Sequence, residues 1–328
     1  MSVTVWTNHA LRPGARELFY DSLARLGCRV VQSQQSSASV LTEGQTDSSL
    51  AEADIAYGQP NPADVVANPR LRWVAISTAG YTRYDQAEFR KAMRARGTMV
   101  TNASGVFAGP CAEHALAMMM SFTRELPIYV RNMTGAHEWN YGPGRYSIET
   151  LTGKTVVVLG YGTIGQRLAE LLAPFRCRVI GVRRTPRADE NEDAVELVTP
   201  AEMPDHLALA DHVVNVLPDG VSTQRFCNAA FFAQMRRGAY FYNIGRGATV
   251  DQDALVAALT SGQVGGAYLD ALDPEPLPPE HPLWTAPNCQ ITPHLAGGHQ
   301  GQDESLVRHF TDNLGRYLKR EPLHDQII

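Results

Sequence analysis

The sequence predicts an α/β protein of two parallel-sheet domains, one inserted into the other, with a cleft between them. Three observations carry this expectation. Two series of short apolar segments alternate with polar helical stretches, a long helix-patterned segment separates the series, and only about one helix of chain follows the second. At 328 residues the chain also exceeds what one core usually organises.

The first series runs VTVW (3–6), CRVVQ (28–32), ADIAYG (53–58), LRWVAIST (71–78) and GTMVT (97–101). Strands separated by helical segments pair in parallel, because each crossover carries a helix over the sheet. Residues 109–126 repeat apolar side chains at helical spacing behind a Gly-Pro start, and read as one long helix joining the domains. Met118, Met119 and Met120 within it read as core packing. The second series is TVVVLG (155–160), CRVIGV (177–182), DHVVNVL (211–217), AYFYNIG (239–245), GAYLDAL (266–272) and CQITPH (289–294). Its nearly continuous apolar runs suit strands buried on both faces. A last helix over roughly 302–320 is too little for another domain and is expected to return to the first. The expected bounds are 1–102 with 299–328 for one domain and 103–298 for the other.

Composition narrows the function. A net charge of −5 with 44% hydrophobic and 19% charged residues is ordinary for a globular protein and gives no reason to expect a nucleic-acid partner. The five cysteines, Cys28, Cys111, Cys177, Cys227 and Cys289, are scattered without a C-x-x-C pair, which suggests neither a disulfide framework nor a zinc site and favours a reducing compartment. No stretch approaches the ~18 apolar residues of a membrane helix, and the first residues lack a basic region followed by an apolar run. A cytoplasmic protein without membrane contact is expected.

The sharpest motif is Gly160-Tyr161-Gly162-Thr163-Ile164-Gly165, between the buried strand at 155–159 and an amphipathic helix. Gly160 suits a tight turn, Gly162 lets backbone approach a pyrophosphate, and Gly165 allows close helix–strand packing. The pyrophosphate would sit on the helix N-terminus, where N–H groups and the positive dipole end converge. A glycine-rich surface loop is the alternative, but the flanking strand and helix and a second strand at 178–182 supply the context of a dinucleotide site.

Strand ends carry the remaining polar chemistry. One strand ends in Gly245-Arg246-Gly247, one runs into Asp273-Pro274-Glu275-Pro276, and one ends at His294. In an open α/β sheet the carboxyl ends of the strands face the ligand crevice. Reduction of a 2-oxo acid needs a proton donor, a cation for carboxylate and developing alkoxide, and a group that keeps the donor protonated. His294, Arg246 and Glu275 match these needs in turn. Singly, each has a plainer reading: His294 satisfying a backbone carbonyl, Arg246 in a surface ion pair, Glu275 capping a loop.

Taken together, G-Y-G-T-I-G, N-x-x-R-G-x-x-V-D (243–251), L-D-x-x-x-x-E-P-L (269–277), H-P-L-W (281–284) and T-P-H-L-A-G (292–297) resemble, in order and spacing, the D-isomer-specific 2-hydroxyacid dehydrogenase family, and its glyoxylate/hydroxypyruvate reductase-like members. Weaker similarity at S-T-A-G-Y-x-x-Y-D (77–85) and A-E-H-A-L (112–116) extends it over nearly the whole chain. The resemblance implies two Rossmann-like domains, the nucleotide-binding domain inserted into a flavodoxin-like substrate-binding domain. It implies an NAD(P)-dependent oxidoreductase acting on a small 2-oxo or 2-hydroxy acid, with His294 as acid/base, Glu275 as its partner and Arg246 binding carboxylate and polarising the carbonyl. Backbone N–H groups around Ala79, Gly80 and Tyr81 would hold the carboxylate. Asp270 would meet the nicotinamide carboxamide, Val106 would lie near the ring, and Leu217, Pro218, Ile244 and Gly245 would line the cofactor. Family members are commonly dimers joined through the nucleotide domains, which suits an arm over 135–150. Trp139 in that arm reads as a buried aromatic anchor, with reach to a neighbouring subunit as the alternative.

The chain departs from the NAD-preferring pattern after the second nucleotide-domain strand, where Arg183, Arg184, Thr185 and Arg187 stand in place of an acidic residue. Guanidinium groups there suit a ribose 2′-phosphate, so NADP(H) is the preferred cofactor and NAD(H) the other; Asp189, Glu190 and Glu192 follow closely and offset the charge. Tyr57, Gln59, Tyr81, Arg83, Phe107, Trp139 and Tyr141 are open candidates for shaping a substrate pocket. His114, His281 and His299 show no metal-ligand spacing, and no metal is expected. Two rival readings remain: a nucleotide-sensing, corepressor-like binding protein, and a phosphite- or formate-type dehydrogenase on the same scaffold. Formate enzymes of this type carry glutamine where Glu275 stands, which argues against them.

Overall fold

Short strands rich in β-branched and aromatic residues form the first sheet: β1 (Thr4–His9), β2 (Arg29–Ser37), β3 (Ile55–Gly58), β4 (Trp73–Ile76) and β5 (Met99–Thr101). They pair in parallel in the order β2-β1-β3-β4-β5. The structure, a computed structural model, describes residues 2–37, 44–135, 137–139, 141–185 and 195–328. Helices α1 (Pro13–Arg25), α2 (Pro62–Ala67) and α3 (Ala87–Arg96) make the crossovers. Alternation along the strands sends Trp6, Ala56, Val74, Ile76 and Val100 to the face covered by Val65 of α2 and by Phe89 and Met93 of α3.

The long joining helix, α4 (Ser104–Thr123), begins five residues before the Gly-Pro pair. Reading Pro110 as a first-turn residue was wrong, because start signals lie upstream: Asn102 Oδ1 accepts from the Ser104 amide and the Asp325 carboxylate accepts from the Gly105 amide. The helix instead carries Pro110 inside. Of the methionine run only Met119 is buried, while Met120 is exposed, so core packing holds for one face of the helix. Helices α5 (Leu126–Thr134) and α6 (Tyr141–Ser147) follow.

The second sheet contains β6 (Thr155–Leu159), β7 (Arg178–Val182), β8 (Val195–Val198), β9 (His212–Asn215), β10 (Ala239–Asn243), β11 (Val264–Leu269) and β12 (Cys289–Ile291), with α7 (Thr163–Leu172), α8 (Met203–Leu207), α9 (Ala229–Gln234) and α10 (Gln252–Thr260) between strands. All pairings are parallel, in the order β12-β11-β10-β9-β6-β7-β8. No continuous apolar run marks β8 in the sequence, a four-residue edge strand in which Val195 and Val198 are buried, Glu196 is exposed and Leu197 is half-buried. Val156 to Leu159 are fully buried, as a central strand covered on both faces requires. Strand order reverses between β6 and β9, the switch point where open α/β sheets bind ligands beyond their carboxyl ends.

The last helix, α11 (Gln302–Lys319), packs Val307, Phe310 and Leu314 against Val5, Ile55, Tyr57 and Trp73 of the first sheet and Phe19 of α1. By internal packing the chain divides into Met1–Phe107 with His299–Ile328, and Ala108–Gly298.

Candidate active site

At the switch point the turn after β6 is shaped by its glycines. Gly160 has φ 88°, a conformation that side chains other than glycine seldom hold, and a Cβ there would lie 3.0 Å from the Val216 carbonyl oxygen on the turn after β9. Gly165 packs α7 onto β6, where a Cβ would crowd Val158 Cγ1 at 3.1 Å. Gly162 is the N-cap of α7 and makes no side-chain cap, and a Cβ built there meets open space. Tyr161 is buried beside Gly181 of β7, and Thr163 and Ile164 form the first helical turn.

The turns after β9 and β10 are held by a buried polar network that the sequence reading did not single out. Asn215 Nδ2 donates to Asn243 Oδ1 at 3.0 Å and Thr249 Oγ1 at 2.7 Å, while its Oδ1 accepts from the Leu217 amide. Asn243 Oδ1 also accepts from the Gly245 amide, and its Nδ2 donates to the Ala271 carbonyl. Thr249 Oγ1 donates to the Arg246 carbonyl at 2.6 Å, which fixes the backbone that presents the guanidinium. Polar side chains closing apolar strands were the available signal: Asn215 and Asn243 each end a run of buried residues. Ile244 is buried, and Gly245 lies so close to Leu217 that a Cβ would fall 2.7 Å from its carbonyl oxygen. The Pro218 carbonyl accepts from Thr223 Oγ1.

Arg246 Nη1 donates to the Gly245 carbonyl at 2.7 Å. Desolvation pulls the guanidinium pKa below its ordinary value and the nearby Glu275 carboxylate opposes that pull; the group stays charged. Burial of Glu275 alone would raise its carboxyl pKa. Hydrogen bonds from His294 and the Leu272 amide, with the charges of His294 and Arg246, outweigh burial and hold it below the usual range. His294 Nδ1 lies 2.8 Å from Glu275 Oε2, and Glu275 Oε1 accepts from the Leu272 amide at 2.9 Å. With Nδ1–H directed at the carboxylate, His294 Nε2 is left to take or give a proton.

The backbone of His294 has φ 51°, so its turn needs support. Asp270 provides it: its carbonyl accepts from the His294 amide at 2.9 Å, and its carboxylate accepts from the Leu295 and Ala296 amides, each at 2.9 Å.

Within the first unit, the Ala79 carbonyl accepts from Asn102 Nδ2 and the Gly80 carbonyl from Thr78 Oγ1, which sets the peptide planes ahead of Tyr81. Gln59 donates to Thr78, and Tyr57 is buried in the aromatic core of that unit, so Tyr57 shapes packing and is no open pocket wall. Val106 and Phe107 occupy the first turn of α4. Arg183, Arg184 and Thr185 leave β7, with the Arg183 amide bonded to the Val198 carbonyl. Arg187, Asp189, Glu190 and Glu192 lie outside the described residues. Trp139 is 92% exposed, which overturns its reading as a buried anchor; Tyr141 beside it is exposed as well. His281 Nδ1 accepts from the Leu283 amide in a local turn. His114 of α4 bonds Tyr268. Among the described residues no group of three or more His, Cys, Asp or Glu is placed to hold a metal ion.

Comparison with known proteins bears on this geometry. The model for the D-isomer specific 2-hydroxyacid dehydrogenase NAD binding domain matches residues 116–296. The chain is 32% identical over 263 residues to the human glyoxylate reductase/hydroxypyruvate reductase, covering 80% of this chain and 78% of that one. It is 27% identical to a hydroxypyruvate reductase of Blautia hydrogenotrophica, over 99% of both chains. The crystal structure of a D-isomer specific 2-hydroxyacid dehydrogenase from Xanthobacter autotrophicus superposes with a TM-score of 0.81 at 26% identity, covering 100% of this chain and 98% of the other. The motif match, the relatives and the doubly wound sheet agree: the chain belongs to the D-isomer-specific 2-hydroxyacid dehydrogenase family and is an NAD(P)-dependent oxidoreductase acting on the CH–OH group of donors.

Proposed function

We propose that the protein reduces a small 2-oxo acid, such as glyoxylate or hydroxypyruvate, to the 2-hydroxy acid, the D isomer where the product is chiral, with NAD(P)H, preferring NADPH, as a cytoplasmic homodimer. The observation that carries this reading is the 2.8 Å pair of His294 Nδ1 and Glu275 Oε2, with Arg246 close enough to act on the Glu275 charge. The glycine turn fits a dinucleotide, because open space over Gly162 and the uncapped start of α7 leave backbone N–H groups for a pyrophosphate. A nicotinamide cofactor, when bound, would supply the hydride. His294 Nε2–H gives the carbonyl oxygen its proton, and Glu275 offsets the imidazolium charge that precedes that transfer. Arg246 binds the carboxylate and polarises the carbonyl with its donor fork. In the first unit, backbone N–H groups around Ala79, Gly80 and Tyr81 have a carboxylate-binding role.

Preference for NADPH rests on Arg183, Arg184 and Thr185, which follow β7 where an acidic side chain would accept from a ribose 2′-hydroxyl. The Xanthobacter autotrophicus relative is a complex with NADPH. Among the described residues no helix is long and apolar enough to cross a membrane. The test is turnover of glyoxylate, hydroxypyruvate and phenylpyruvate with each cofactor. Expected is an NADPH preference of at least ~10-fold in kcat/KM, or ~1.4 kcal/mol, most of it lost when Arg183 and Arg184 are both replaced by alanine. Absence of cofactor oxidation with every keto acid would overturn the reductase reading, and equal efficiency with NADH the cofactor preference.

A further inference from the structure

Behind the His294 turn, leading to Asp270, lies a chain of three side chains that the proposed reaction does not itself use. His114 Nε2 on α4 bonds Tyr268 Oη on β11, with the two rings 5.4 Å apart. Tyr268 Oη bonds Thr292 Oγ1 just beyond β12, and Thr292 Oγ1 donates to Asp270 Oδ1 at 2.6 Å. Asp270 then accepts from the Leu295 and Ala296 amides, on the two residues after His294.

Proton counting gives the chain a direction. Thr292 has one hydroxyl proton, and the Asp270 carboxylate takes it. Tyr268 Oη also lies 3.4 Å from Asp270 Oδ1, but its proton fills the shorter contact with Thr292, since otherwise two oxygen lone pairs would face each other there. That leaves the Tyr268 oxygen as acceptor toward His114, so His114 Nε2 carries a proton. Burial, with the Asp270 charge, pushes the Tyr268 phenol pKa far up against the opposing Thr292 bond, and the hydroxyl keeps its proton.

We infer that His114 is a positioning residue for the proposed reaction: its Nε2–H anchors a one-way donor chain through Tyr268 and Thr292 that orients Asp270 and thereby holds the His294 turn. This rests on the reductase reading above, and the geometry extends that reading to α4. A carboxylate already accepting from Thr292 and two backbone amides has little freedom to rotate, and His294 at φ 51° relaxes once it does. Small displacement of a proton donor is costly, since ~1 Å can lower the rate ~100-fold.

The experiment pairs His114→Gln, which keeps an N–H donor, with His114→Met, which has none, alongside Tyr268→Phe. With melting temperatures matched, His114→Met and Tyr268→Phe are expected to lower kcat at least ~10-fold with the KM for the keto acid within about twofold, and His114→Gln to recover most of kcat. The His114→Met/Tyr268→Phe double variant should lose no more than Tyr268→Phe alone, because both cut one chain. A glutamine variant as slow as the methionine variant, or additive losses, would overturn the inference. Nitrogen NMR of the His114 ring separates this from failure of the reductase reading: protonated Nε2 is expected whatever the substrate, and a ring protonated at Nδ1 alone would remove the chain even in an active enzyme.

Discussion

His294 sits in a left-handed backbone conformation that costs a non-glycine residue about 1 kcal/mol or more. Bonds from its amide and from the next two amides to Asp270 offset that cost and aim the ring at Glu275. Because general acid catalysis contributes ~10²–10⁴, His294→Ala is expected to lower kcat at least ~100-fold while cofactor affinity, measured by fluorescence titration, stays nearly unchanged. Turnover near wild type would remove His294 from proton transfer. Glu275→Gln preserves shape but not charge. The imidazolium then loses its counter-ion, and the alkaline limb of the kcat/KM profile for keto-acid reduction is expected at lower pH. An unmoved limb at saturating cofactor would assign Glu275 to support of the Leu272 turn alone. That His294, Glu275 and Arg246 come together could be expected from sequence, because a histidine, a glutamate and an arginine at strand ends have distinctive chemistry. The residues that position them could not. Asn215, Thr249 and Tyr268 have no chemistry of their own in the reaction, and only their hydrogen bonds reveal Asn215 and Thr249 behind the Arg246 backbone and Tyr268 on Thr292.

The first turn of α4 depends on an element remote in sequence. The chain after α11 pairs with β5: the Asn102 amide donates to the Asp325 carbonyl, the Val100 amide to that of Ile328, and the Ile327 amide to that of Val100. This brings the Asp325 carboxylate onto the Gly105 amide at 2.7 Å and His309 Nε2 at 3.0 Å. Burial alone would raise the Asp325 pKa. Bonds from His309 and Gly105, with the charges of His309 and His324, hold it below the ordinary value. A depressed folded value means the carboxylate stabilises the fold fully above its unfolded pKa of ~3.9, and that stabilisation fades as pH falls through the lower folded value. Asp325→Asn should therefore lower the melting temperature at pH 7 by an amount corresponding to about 1–3 kcal/mol, with the difference from wild type shrinking below about pH 4. A difference independent of pH would show that the charge contributes nothing. Such dependence explains what sequence left unread at this level. The apolar runs located both sheets, since burial on two faces shows directly in composition, whereas the start of α4 is set by Asn102 and by Asp325, 220 residues from Gly105. The edge strand β8 escaped because pairing on one side alone leaves Glu196 exposed within it.

At the scale of the molecule, α5 is the element its own chain leaves unexplained. It has nine residues, among them Leu126, Ile128, Val130 and Met133, and buries none of them. Isolated helices shorter than ~12–15 residues are marginal in water, and packing of an apolar face normally supplies the missing stability. The same stretch continues into Trp139, 92% exposed, and Tyr146, 87% exposed. Scattered exposed apolar side chains need no account, but a run along consecutive elements marks a surface that association covers. In the proposed homodimer, a two-fold contact would set α5 and its aromatic neighbours against their own equivalents. Light scattering at micromolar concentration is therefore expected to give about twice the 35.9 kDa of one chain. Replacing Met133 and Trp139 together by serine should shift that mass toward a single chain, because large apolar and aromatic anchors dominate interface energetics. A single-chain mass for the wild-type protein, or a double variant that stays dimeric, would place the subunit contact elsewhere and leave α5 without its partner.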